Sequence, residues 1–207
     1  MTTSQKKVLI IRHGALGDII NATGAFAAVR SHFANDYLVC LTSPSYEGFM
    51  GQMGYFGEIW GDERSKNPFE MATLIRKISR ARFDWVFDLQ NSSRTSLYFQ
   101  VMKVMGAPLW SGIAPGCSHP QRHSHRLYLP ASVRYADQLQ TAGIDLKGRD
   151  ELLPEISWME GDISAFGLNT PYVLLMPGSS LSGSRKRWPG MAYVAFANAL
   201  VAQGITP

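Results

Sequence analysis

The chain has 207 residues, a net charge of +4, 45% hydrophobic and 17% charged residues, a globular composition that excludes disordered and low-complexity architectures. Its two cysteines, Cys40 and Cys117, stand far apart outside any CxxC pattern, which excludes a disulfide framework and a cysteine-based zinc site. No run of about 18 apolar residues is present, and the first residues carry no secretory pattern, so the expected location is the cytoplasm.

Residues 7–12, Lys-Val-Leu-Ile-Ile-Arg, predict a buried strand of a parallel sheet. His13-Gly14-Ala15-Leu16-Gly17-Asp18 follows as a turn with two glycines. Ile19, Ala22, Phe26, Val29 and Phe33 then recur at steps of three and four, one face of a helix. Asp18 falls at the start of that helix, where a carboxylate can cap backbone N–H groups. A second strand is expected over 37–42, ended by Ser43-Pro44-Ser45. This β-loop-α-β order opens a doubly wound α/β sheet. The scheme repeats with a short strand at 56–59, a helix over 68–82, a strand over 84–90, a helix over 96–105 and a short strand at 108–113. Residues 115–130 read as a polar loop, and 132–143 as a helix closed by Gly143.

Residues 145–169 are acidic, contain Pro154 and read as a connector. The expected division is a first domain over 1–155 and a second, incomplete one over 156–207. After the connector come a strand over 171–177, a small-residue loop over 178–184, and Lys186-Arg187-Trp188-Pro189 ahead of a helix. That helix has an apolar face of Tyr193, Phe196, Ala197, Leu200 and Val201. The chain therefore reads as a complete first α/β domain with a parallel sheet, plus the first β-α unit of a second. The alternative is that this last unit adds to the first sheet.

Three segments can carry chemistry. Gly14 and Gly17 lie between a strand and a helix, where backbone N–H groups approach a ligand closely. The pattern is neither GxGxxG nor a P-loop, and it carries an acid. Asp18 is either an ordinary cap or a base for a substrate hydroxyl. Gly178, Ser179 and Ser180 with Lys186 can bind a diphosphate, or form a surface loop with a basic helix start. Gln90, Asn91 and Arg94 follow a buried strand at its carboxyl end, where open α/β sheets hold ligands; Arg94 can pair with an anionic acceptor, and the others can simply cap the loop. Residues 119–134 hold Arg122, Arg126 and Arg134 and three histidines without an acid, which suits an anionic partner or a solvated loop. The histidines lack the acidic neighbours of a metal site.

Jointly, Val8-Leu9-Ile10-Ile11-Arg12-His13-Gly14-Ala15-Leu16-Gly17-Asp18, the 84–90 segment with Arg94, and Tyr172–Ser180 followed by Lys186-Arg187-Trp188-Pro189 resemble glycosyltransferase family 9, the lipopolysaccharide heptosyltransferases. The resemblance implies a GT-B architecture of two Rossmann-like domains, the first taking the acceptor and the second the sugar nucleotide. It implies inverting transfer of a heptose or related sugar from an ADP-heptose-like donor to a lipid A-core acceptor. Asp18 matches the catalytic base, Lys186 the lysine on the donor diphosphate, and Ser179 and Ser180 the hydroxyl residues beside it, with Gly178. Gly14, Gly17, Gln90, Asn91 and Arg94 fall to the acceptor side or its loops. No cofactor, metal ion or nucleic acid is expected. A lipid-anchored acceptor implies the inner face of the inner membrane, with a basic edge against anionic lipids. Family members carry a full second domain, so this chain alone is expected to transfer sugar poorly. A non-catalytic nucleotide-binding module is the competing reading.

Overall fold

The computed structural model describes residues 4–121, 123, 125–168, 171–178 and 187–207. The chain forms two compact units, Met1–Met159 and Glu160–Pro207. The first holds strands β1 (Lys7–Ile11), β2 (Tyr37–Thr42), β3 (Glu58–Gly61), β4 (Trp85–Asp88), β5 (Leu109–Gly112) and β6 (His119–Pro120). They form one parallel sheet in the order β3-β2-β1-β4-β5-β6. This is the Rossmann-like order, which reverses direction between β1 and β4.

The sequence explains the layers. Val8 to Ile11 are wholly buried because the central strand is covered on both faces. Val8 and Ile10 join Leu38 and Cys40 in one apolar layer with helices α1 (Leu16–His32) and α5 (Ala131–Thr141). Leu9 and Ile11 join Val39 and Leu41 in the other, against α3 (Pro68–Arg80) and α4 (Ser93–Lys103). The expected face of α1 is buried as read: Ile19, Ala22, Phe26 and Val29 are at 0% exposure.

Several expectations need correction. Strand β6 falls in the segment read as a polar loop, and a one-turn helix α2 (Glu47–Gly51) fills a stretch for which no element is expected. β6 is two residues long with a proline, on the sheet edge, where a missing N–H is tolerated. Helix α4 starts at Ser93, three residues early, because Ser92 and Thr95 cap each other reciprocally: the Thr95 N–H donates to Ser92 Oγ at 3.2 Å, and the Ser92 N–H to Thr95 Oγ1 at 3.0 Å. The first part of the acidic connector is no free linker. Leu146 and Leu152 are buried in the core, and the Glu155 N–H donates to Thr23 Oγ1 at 2.8 Å.

In the second unit, α6 (Gly190–Val201) forms as expected. The strand expected over 171–177 is reduced to one parallel bridge, Tyr172 to Thr206, with the Val173 N–H donating to the Thr206 carbonyl at 2.8 Å. Tyr172 and Thr206 thus open two parallel segments on either side of α6, the start of a β-α-β unit.

The connector crosses α1 at Gly24, where a Cβ would run into the Leu153 carbonyl. Gly24→Ala is expected to lower stability by about 1–3 kcal/mol, as overpacking does. Urea unfolding with an unchanged midpoint would contradict this close crossing.

Candidate functional site

The carboxyl ends of β1 and β4 are neighbours at the point where the strand order reverses, the place where open α/β sheets hold ligands in a crevice between the flanking loops, here β1–α1 and β4–α4. Arg12, 8% exposed, ties the two loops together. Its Nη1 donates to the Leu89 carbonyl at 3.2 Å and to Gln90 Oε1 at 3.4 Å, while Nε donates to the Asp18 carbonyl at 3.3 Å. Its Nη2 lies 3.5 Å from Asp18 Oδ1. The His13 N–H donates to Gln90 Oε1 at 3.1 Å.

Asp18 does not cap its helix. Ala15 is the N-cap residue and no side chain bonds there. Asp18 stands in the first turn beside Arg12, its side chain 58% exposed. A carboxylate held at a crevice mouth and open to solvent can accept a proton from an entering hydroxyl.

The two glycines differ. Gly14 has φ +100°, and a Cβ there would stand 2.8 Å from the Tyr46 ring. Gly17, in the first turn of α1, faces open space. Asn91 also sits in the left-handed region, at φ +50°; its N–H donates to Asp88 Oδ1 at 2.9 Å and its Nδ2 to Gln138 Oε1 at 2.8 Å, so its amide nitrogens serve the fold.

Arg94 lines a cavity of about 390 Å³ with Asp62 and Ser65, and its guanidinium is held by three groups. Its Nη2 meets Asp62 Oδ1 at 3.3 Å, Nη1 donates to the Ser65 carbonyl at 2.7 Å, and Nε donates to the Tyr98 hydroxyl. Asp62, 4% exposed, is the hub of this network. It also takes the Tyr98 hydroxyl at 2.7 Å, the Arg64 N–H at 2.7 Å, and His13 Nε2 at 2.8 Å. Burial alone would raise its pKa, but the bonds from His13, Tyr98 and the Arg64 amide together hold the carboxyl well below the usual range. Asp88, at the end of β4, is the opposite case. It is wholly buried, and burial pushes its carboxyl up to about 6 against weaker opposition from Thr95 and the Asn91 and Gln90 amides.

Gly178 lies in the second unit, exposed, with nothing near its Cβ position. Ser179, Ser180 and Lys186 lie outside the described residues. Among the described residues, no three His, Cys, Asp or Glu side chains gather as a metal set. Sequence reasoning misses Arg12, His13, Asp62 and Tyr98 as parts of the site. Arg12 and His13 carry a signal, as polar residues closing an apolar strand; Asp62 and Tyr98 carry none.

Residues 71–206 match Glycosyltransferase family 9 (heptosyltransferase). The chain belongs to this family. The matched stretch holds Gln90–Arg94 and the 178–189 segment, and it starts after the Asp18 loop. The fold likeness covers both. A glycosyl transferase family 9 structure from Veillonella parvula superposes with a TM-score of 0.67 at 18% identity, over 99% of this chain and 62% of that one. E. coli ADP-heptose lps heptosyltransferase II gives 0.69 at 18% identity, over 95% and 62%. E. coli heptosyltransferase WaaC with ADP gives 0.67 at 12% identity, over 96% and 64%. The chain thus spans just under two thirds of the length of these structures and shares the fold of their matched part. The sequence matches none of the curated proteins compared with it.

The glycines and the buried carboxyl can each be tested. Gly14→Ala is expected to lose about 1–3 kcal/mol, from φ and the Tyr46 clash, while Gly17→Ala folds normally. Urea denaturation separates them, and equal midpoints would refute the distinction. Asp88 is a carboxyl whose neutral form suits the fold. Its contribution is full below the unfolded pKa of about 4 and lost as pH rises through about 6. Asp88→Asn is expected to remove a pH-dependent loss of about 3 kcal/mol across that window. An unchanged slope of unfolding free energy over that window would show that Asp88 does not titrate there.

Proposed function

We propose that this chain is the acceptor-binding domain, with the opening of the donor-binding segment, of an inverting glycosyltransferase of the lipopolysaccharide heptosyltransferase type. One observation carries the reading: an exposed carboxylate, Asp18, is held by a buried arginine at the crevice where β1 and β4 diverge.

The chemistry follows from what inversion needs. An acceptor oxygen displaces the nucleotide from the opposite face of the anomeric carbon, through an oxocarbenium-like transition state. Asp18 takes the hydroxyl proton as that oxygen attacks. Arg12 fixes the carboxylate's position while Gln90 and Leu89 hold Arg12. Gly17 leaves its surface open, so an acceptor can approach the first turn of α1 closely. Negative charge growing on the leaving diphosphate falls to Lys186, Ser179, Ser180 and the amides near Gly178, as the family likeness implies. The donor is a nucleotide sugar of the ADP-heptose class, and the acceptor a sugar hydroxyl of a lipid A-linked core.

The test uses this chain in excess over a deacylated lipid A-core acceptor with ADP-heptose, product being followed by mass spectrometry. Acceptor binding by titration and slow single-turnover transfer are expected. Asp18→Asn should keep acceptor binding and lower the transfer rate by about 10²–10⁴-fold. An Asp18→Asn rate equal to that of the unsubstituted chain would remove Asp18 as the base. Failure of the chain to bind the acceptor would overturn the reading itself.

A further inference from the structure

The flank of the first unit that carries α3 and α4 has a feature that the crevice does not use. A groove of about 520 Å³ runs between these helices near their carboxyl ends. Ala72, Ile75, Val101 and Met105 give it apolar walls, and Arg76, Arg80 and Arg82 line it without any acid. All three arginines are exposed, and none pairs with a carboxylate among the described residues. Arg76 and Arg80 stand one turn apart on the same face of α3. Asp84 is near in sequence, but its Oδ2 accepts the Lys7 N–H at 2.7 Å.

Beside these cations the end of α4 and the two residues after it expose an apolar stripe. Leu97 is 42% exposed, Val101 41%, Val104 89% and Met105 59%. Single exposed apolar residues are ordinary, but four at helical spacing beside unpaired arginines are not.

We propose that this flank docks on an anionic phospholipid bilayer. Val104 and Met105 enter the interfacial layer, and Arg76, Arg80 and Arg82 take lipid phosphates. The combination selects the partner. Arginine forks suit phosphate oxygens, and an apolar stripe has no use on a nucleic-acid backbone. Cations around apolar side chains are the pattern of helices that lie in a membrane interface. No helix in the described residues is long and apolar enough to cross a membrane, so contact of this kind is interfacial. The proposal is independent of the catalytic reading and places the basic contact on α3 and α4 in place of residues 119–134, where the Arg126 Nε donates to Gln121 Oε1 at 2.9 Å.

Co-sedimentation with vesicles tests it. The chain is expected to bind vesicles of equal parts phosphatidylcholine and phosphatidylglycerol, to ignore phosphatidylcholine alone, and to release as salt rises. Replacing Arg76, Arg80 and Arg82 together by Gln should weaken binding by about 10²-fold, at roughly fivefold per cation. Val104→Ser with Met105→Ser should weaken it as well, which a purely electrostatic contact would not show. All five positions border exposed surface, and thermal unfolding confirms that the variants fold. Undiminished binding of the triple Gln variant overturns the proposal. So does loss of binding on Arg64→Gln with Lys66→Gln alone, which would put the contact on another loop, or association with an acidic protein without any with vesicles.

Discussion

The site depends on one buried cation. Arg12 closes a strand whose four preceding residues are wholly buried, and a guanidinium there costs several kcal/mol unless its donors are met. They are met by the Leu89 carbonyl and Gln90 Oε1 from one loop and by Asp18 from the other. The bonds that make the burial tolerable are also those that join the β1–α1 loop and first turn of α1 to the β4–α4 loop. A lysine would keep the charge and lose the fork, so it could not hold both loops at once. Asp18 gains a fixed position without being shut away, which is what a group that must accept a proton in a particular direction requires.

A second brace works on the other side of the β1–α1 loop. Asp62 gathers His13, Tyr98, Arg94 and the Arg64 amide, so the end of β3 is tied to the end of β1 and to the first turn of α4. Removing any one donor would leave a buried carboxylate short of a partner, the expensive way to break such a network. Arg94 is thereby braced by the scaffold while it also lines a cavity of about 390 Å³. Its three contacts hold its guanidinium in one place beside that cavity. The two braces hold the loops that flank Asp18, whose carboxylate stays open to solvent.

The parallel sheet was legible because its central strands are buried on both faces and therefore read as continuous apolar runs, as in Val8 to Ile11 and Leu38 to Leu41. The turn that holds Gly14 and Asp18 was legible because two glycines between an apolar strand and an amphipathic helix mark a strand-to-helix turn. What stayed hidden depends on distance along the chain. Asp62 lies 36 residues from Tyr98, and no local pattern announces that contact. β6 was hidden for a different reason: two residues with a proline carry no periodicity, and only the open edge of β5 makes them a strand. Leu146 and Leu152 sit in acidic surroundings that read as linker, and their burial follows from the groove that α1 and α5 leave between them.

The two surfaces draw on different parts of the fold. α3 and α4 each run from the carboxyl edge of the sheet back to its amino edge, so a groove lined by Arg80, Arg82 and Met105 lies toward the amino edge, while Asp18 stands at the carboxyl edge. α3 and α4 pack on one face of the sheet and α1, which carries Asp18, on the other. A contact on the α3–α4 flank is therefore built from elements other than the strand end and helix turn that hold Asp18, and substitutions at one leave the hydrogen bonds of the other in place.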